Sequence, residues 1–197
     1  MNERNEEIKK KIKKILDKDR YQHTLGVAYT AACLAMRYGA DMESAITAGL
    51  LHDCAKCIPT DEKFRLCSKY GIELTEFEKK NSALIHAKLG AYLAENKYGI
   101  EDRDIIDAVR THTTGEPAMS LLQQIIFTAD FIEPRRDQAP NLSEIRKMAF
   151  EDLDRAVEKI LYDTLNYLGK KKDAPIDPAT RKTYEYYSQL VVAETED

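Results

Sequence analysis

The stretch Ala48-Gly49-Leu50-Leu51-His52-Asp53-Cys54-Ala55-Lys56 limits what this chain can become more than any other. An apolar run ends in an imidazole and a carboxylate side by side. A carboxylate at the buried end of a helix carries a heavy desolvation cost unless a cation or a donor meets it. A neutral imidazole beside a carboxylate suits a borderline or hard divalent cation. His52 and Asp53 are therefore expected as metal ligands, and other segments should supply their partners.

Helical periodicity dominates the chain and no convincing alternating strand interrupts it, so the expected fold is all-α. The first helix is expected over 6–17, with Ile8, Ile12, Ile15 and Leu16 on one face and the Lys9–Lys14 cluster mostly on the other. That cluster reads as a solvated face or an anion patch. A second helix runs from about Arg20 to Tyr38 and stops at Gly39. Asp41 can cap a third that reaches His52-Asp53. Pro59 and Thr60 open a fourth, closing at Tyr70-Gly71. Thr75 and Glu78 have capping-box spacing, and one helix is expected from there through His86 to Tyr98, with Gly99 as its stop. Further helices cover 102–113, ending with His112; 121–133, stopped by Pro134; and 152–168, followed by Gly169 and the run Lys170-Lys171-Lys172. Asp177-Pro178 opens the last helix. With 197 residues and no repeat, low-complexity tract or dividing linker, residues 1–197 are expected as a single domain, its core motifs at about 20–137 and helices at 152–193 packed on them.

Composition narrows the class. Charged residues make up 32% of the chain and the net charge is −4, an ordinary surface rather than a basic nucleic-acid binder. No apolar segment approaches the ~20 residues that span a bilayer. The segment Met1–Lys14 lacks the apolar core of a signal peptide, so a cytoplasmic protein is expected. Cys33, Cys54, Cys57 and Cys67 then read as free thiols. Cys54-x-x-Cys57 invites a redox or zinc reading, but zinc needs two more ligands and neither remaining cysteine repeats the spacing.

The chain has four histidines, His23, His52, His86 and His112, each within or at the end of an expected helix with an apolar face. One such residue alone is usually a hydrogen-bonded core histidine. Four on separate helices, with Asp53, fit that account poorly. Asp130 lies deep in the apolar run Leu121–Ile132, where a buried carboxylate needs a cation or several donors.

The order His23, His52-Asp53, His86, His112, Asp130 resembles the HD-domain metal-dependent phosphohydrolase superfamily, in its dinuclear branch. The flanks Leu50–Lys56, His112-Thr113-Thr114-Gly115 and Ala129-Asp130-Phe131-Ile132-Glu133-Pro134-x-Arg136 are most similar to the bacterial HD-domain symmetrical diadenosine tetraphosphate hydrolases. The resemblance implies a helical bundle with two divalent metal ions between its helices. His23, His52, Asp53 and Asp130 would hold one metal; His86 and His112 would hold the second, with Asp53 bridging. Iron is the family's usual metal, and manganese or other divalent ions suit the same donors. The implied reaction is symmetrical cleavage of the tetraphosphate into two ADP, through attack by a metal-bridging hydroxide. Asp53 and Lys56 carry the catalytic roles in this reading. The partners implied are a dinucleoside polyphosphate and its ADP or GDP-type products, with no nucleic acid and no membrane; a homodimer is left open.

Several residues keep two readings. Lys56, at i+4 from His52, either binds phosphate or is a surface lysine. Arg136, past the Pro134 break, either forks onto phosphate or anchors its loop by an ion pair. Thr113 and Thr114 donate to substrate or cap a helix, and Arg20, one turn before His23, is a further phosphate candidate. Tyr184, Tyr186 and Tyr187 either pack or stack a base. Competing functions are another HD nucleotide phosphohydrolase acting on nucleoside mono- or triphosphates or guanosine alarmones, a low-turnover nucleotide-binding regulator, and a structural protein with buried histidines.

Overall fold

Asp17 opens the central helix of the molecule. In the computed structural model, which describes residues 1–171 and 175–196, its carboxylate accepts from the Arg20 N–H and starts α2 at Lys18. The same logic of side-chain acceptors for orphan N–H groups sets most other starts. Asn2 caps α1 (Glu3–Ile12), and Asp41 caps α3 (Met42–Leu51). After α4 (Thr60–Tyr70), the Thr75–Glu78 pair forms a reciprocal capping box on α5 (Glu76–Lys80). A 3-10 turn (Ser82–Leu84) then leads into α6 (Ile85–Asn96). Asp102 caps α7 (Arg103–Thr111), and Ser120 with Gln123 boxes α8 (Leu121–Ile132). The rest are α9 (Leu142–Glu151), α10 (Leu153–Gly169), capped by Asp152, and α11 (Pro178–Glu196). Among the described residues there is no strand, as the periodicity predicts.

α2 (Lys18–Tyr38) lies along α3 and α8, and α7 fills the angle between α3, α6 and α8. Val27, Ala28, Leu34, Leu50, Leu51 and Ile126 are fully buried between these helices. Burying each Leu or Ile contributes ~1.5–3 kcal/mol. The α2–α3 approach is close because Gly49 faces it: a Cβ there would sit 2.7 Å from the Ala28 Cα. A smaller cluster, Ala55, Cys67, Ile85 and Leu89, ties α4 to α6. α10 joins α9 and α11 to α8.

Three expectations need correction, and one open reading is decided. α1 starts at Glu3, because Asn2 takes the cap, and ends at Ile12, so Ile15 falls outside the helix and is exposed. The helix expected from Thr75 to Tyr98 is broken at Asn81, where non-helical backbone (φ −123°, ψ 67°) separates α5 from the 3-10 turn. α9 was not expected; it begins at Asn141 in the left-handed region (φ 57°) with no side-chain cap, so the usual start signal is missing. Tyr187 is a packing residue, fully buried and edge-on to Tyr186. Lys172 of the Lys170–Lys172 run lies outside the described residues.

Candidate metal centre

The paired motif lies at a helix end. His52 is the C-cap of α3 and Asp53 begins the turn beyond it. His112 is likewise the C-cap of α7, and Asp130 lies in the last turn of α8. Three helices thus deliver candidate ligands at their C-termini, where carbonyl dipoles concentrate partial negative charge and favour a cation. His23 comes from the body of α2 and His86 from the first turn of α6.

Asp53 stands at the middle of the group. Its Oδ2 lies 3.4 Å from His52 Nε2 and 3.9 Å from His23 Nε2. Its Oδ1 lies 3.1 Å from His86 Nε2 and 3.7 Å from His112 Nε2. Asp130 Oδ1 faces His23 Nε2 at 3.0 Å and His52 Nε2 at 3.9 Å. Two triads of ligand atoms result, His23–His52–Asp130 and Asp53–His86–His112, and each could hold a metal ion. The structure brings together all six side chains singled out in the sequence.

Each ring is held by its other nitrogen. Nδ1 of His52 donates to Gly49 O at 2.7 Å, Nδ1 of His86 to Ala83 O at 2.6 Å and Nδ1 of His112 to Val109 O at 2.7 Å. These bonds to the carbonyl three residues back leave Nε2 bare and aimed inward, the tautomer a metal requires. His23 differs: its Nδ1 pairs with Glu133 Oε1 at 3.1 Å.

The donor set fits divalent cations on a second ground. His23 Nε2, His52 Nε2 and Asp53 Oδ1 are buried without a hydrogen-bond partner. Buried polar atoms are ordinarily satisfied, and three unsatisfied ones converging on one place call for a ligand. The electrostatics agree. Burial opposes ionisation of Asp53, but the electrostatic influence of the neighbouring His52 imidazole and contacts with His112 and His86 outweigh it and hold the carboxyl well below the usual carboxylate range. Burial, with the neighbouring His112 and Lys56, pushes His86 down to about 4, so its ring is neutral and free to ligate near pH 7.

Cationic side chains form the rim. Arg20 Nη1 donates to Asp53 Oδ2 at 2.8 Å. Lys56 Nζ lies 3.3 Å from His86 Nε2 and 4.0 Å from Asp53 Oδ1. Arg136 Nη2 donates to Asp130 O at 2.9 Å and Asp130 Oδ1 at 3.1 Å. Arg20, His23, Glu133, Arg135 and Arg136 line a cleft of about 500 Å³ together with Asp17 and Asp19. Thr113 and Thr114 lie elsewhere, in a smaller cleft of about 180 Å³ beside Lys88 and Arg110. There Thr114 Oγ1 donates to Gly115 O, and Gly115 turns through the left-handed region (φ 62°).

The cysteines form no site together. The Cys54 thiol is buried against Gly90 O and pushed up to about 12 by its burial, while Cys57 is exposed with its sulfur 3.3 Å from Asp17 Oδ2. Two residues escaped the sequence reading. Arg135 is an ordinary loop arginine by sequence, and no signal marks it. Glu133 does have one: a carboxylate at a helix C-terminus opposes the dipole, so it needs a compensating partner.

Comparison with known proteins meets the same residues. The HD-domain family profile matches residues 20–135. A symmetrical bis(5'-nucleosyl)-tetraphosphatase of Bacillus subtilis is 40% identical over 89% of this chain and 92% of its own. A protein of the same name from Halalkalibacterium halodurans is 43% identical, over 88% of this chain and 91% of its own. Among solved structures, an HD superfamily hydrolase of Clostridium acetobutylicum, whose name links it to NAD metabolism, superposes with a TM-score of 0.89 at 38% identity, covering 94% of this chain and 97% of that one. The matched span starts at Arg20 and ends at Arg135, thereby containing every histidine and both aspartates of the two triads, and the chain belongs to the HD-domain family.

Proposed function

We propose that this protein hydrolyses diadenosine tetraphosphate symmetrically into two ADP. The reading rests on one geometric observation: Asp53 faces two histidine groups with its two oxygens, beneath a rim of Arg20, Lys56 and Arg136. A shared carboxylate below a cationic rim suits a polyphosphate chain. The names of the relatives from Bacillus subtilis and Halalkalibacterium halodurans, and of a third from Staphylococcus aureus at 33% identity, support the same choice of substrate.

In this proposal His23, His52, Asp53 and Asp130 hold one divalent ion, and His86, His112 and Asp53 hold the other, iron being the expected metal. Such ions, when bound, lower the pKa of water and neutralise phosphoryl oxygens. The chain's own residues do the rest. Arg20, Lys56 and Arg136 bind and orient the phosphates, and their charges oppose the build-up of negative charge as the bridge breaks. Thr113 and Thr114 reach substrate only if part of it enters their smaller cleft. The oxygen of water joins one of the two inner phosphorus atoms. The bond from that phosphorus to the central bridging oxygen breaks, and that oxygen leaves with the other ADP.

All six ligands come from one chain, so a homodimer is not needed to complete the site. Residues 1–197 form a single domain in this reading, with α10 and α11 closing over the 20–137 core. No described helix is long and apolar enough to cross a membrane, and a cytoplasmic nucleotide hydrolase is the reading we adopt. The test is chromatography of products from metal-loaded protein and diadenosine tetraphosphate. Two ADP per substrate is the expected result; AMP plus ATP rejects symmetrical cleavage.

A further inference from the structure

We infer that Glu133 is a positioning residue: it presents His23 to a metal ion and fastens that ligand to the Arg135–Arg136 end of the cleft. The inference rests on the metal centre proposed above. His52, His86 and His112 are each oriented by a carbonyl of their own helix or the turn just before it, within three residues. His23 alone is oriented by a carboxylate, and by one that lies 110 residues away.

Glu133 is almost fully buried, yet among the described residues no lysine or arginine side chain pairs with its carboxylate. One oxygen faces His23 Nδ1, and the other accepts the Arg135 backbone N–H at 2.8 Å. The carboxylate therefore spans from a candidate ligand to the loop that carries the two rim arginines. That loop is itself fixed, since Arg146 donates to Ile132 O, Glu133 O and Arg136 O at 2.8–2.9 Å. The α2 face opposite is cut away to admit Glu133. A Cβ at Gly26 would lie 2.4 Å from Glu133 Oε2. A carboxylate accepts only, so His23 must carry its proton on Nδ1 and offer a bare Nε2 to the centre. Carboxylate partners of this kind orient a ligating histidine and raise its basicity.

Glu133→Gln separates this role from simple support of the loop. Glutamine has one acceptor and one donor end. If its oxygen keeps the Arg135 N–H, its amino group meets His23 Nδ1. The ring must then accept there and carry its proton on Nε2, where it cannot ligate. The test is manganese titration of metal-free protein, with elemental analysis of the loaded form and a melting curve of the metal-free form. Expected for Glu133→Gln is an unchanged metal-free Tm with affinity at one of two sites weakened about 10–100-fold. Two manganese ions bound as tightly as in the wild type would overturn the inference. Gly26→Ala serves if that variant does not fold: its methyl group collides with Oε2, the oxygen that holds the Arg135 N–H, and so displaces the whole carboxylate, Oε1 included, from His23 without changing any charge, and the same weakening is expected. Normal affinity in Gly26→Ala overturns the inference equally. A wild-type protein that binds no manganese, iron or other divalent ion overturns the centre itself.

Discussion

Asp53 Oδ1 lies 3.1 Å from His86 Nε2, across two helices and a 3-10 turn of intervening chain. The contact places one carboxylate between the two triads, because Oδ2 of the same residue faces His52 and His23. Asp53→Asn should thus disturb both sites at once. The amide keeps the shape but removes the charge and turns a donor toward bare imidazoles. We expect loss of metal from both triads and a fall in kcat of at least about 100-fold, since changes one shell further out already reach that scale. Elemental analysis alongside initial rates checks it; a variant that keeps two metals at wild-type affinity contradicts the shared role.

Metal should stabilise the fold itself. A ligand present at 100 times its Kd adds ~2.7 kcal/mol, which for a domain of this size is a rise in Tm of roughly 5–10 °C. Manganese or iron added to metal-free protein should produce that shift, and a chelator should reverse it. A flat melting temperature across the titration would favour buried histidines without a metal.

Lys56 stands close enough to His86 and Asp53 to meet a phosphate held at the centre. Lys56→Met keeps the apolar stem and removes the charge. A hydrogen bond to a charged group contributes ~1.5–3 kcal/mol, so kcat/KM should fall about 10–150-fold, with the metal content and Tm unchanged. Unchanged kcat/KM would return Lys56 to the solvated surface.

The two readings of Arg136 can be told apart through Arg146. The Arg146 side chain holds the loop through three carbonyls, whereas the hydrogen bonds of the Arg136 side chain among the described residues go to Asp130. Arg146→Ala should lower Tm by several degrees, since charged hydrogen bonds at ~1.5–3 kcal/mol are lost. Arg136→Lys should leave Tm alone and raise KM about tenfold, because the forked contact to phosphate goes. The reverse pattern would make Arg136 the loop anchor.

Gly49 sets the distance between α2 and α3, and with it the position of His52. Gly49→Ala places a methyl group 2.7 Å from the Ala28 Cα. Backbone cannot yield as a side-chain tip does, so a cost of ~1–3 kcal/mol is expected. Thermal denaturation of the metal-free protein measures it. A Tm equal to that of the wild type would show that the two helices separate freely.

Local order was open to reading because it depends on neighbours in the chain. Asp41, Thr75, Asp102 and Asp152 each lie within three residues of the N–H they cap, and the apolar spacing along α2 and α8 declares which face is buried. The candidate ligands are equally visible: a buried ionisable side chain in or at the end of an apolar run is costly anywhere, and that cost marks His52-Asp53 and Asp130. The break at Asn81 and the start of α9 at Asn141 are not visible in the sequence, because no side-chain cap marks either. Tertiary structure alone decided three further matters. It turned the two oxygens of Asp53 to opposite groups of histidines, set Thr113 and Thr114 in a cleft apart from the arginines, and carried Glu133 across to His23. Contacts between residues tens to a hundred positions apart depend on how helices cross, and crossing is fixed by close approaches such as Gly49 on Ala28 and Gly26 on Glu133, which no spacing along one chain encodes.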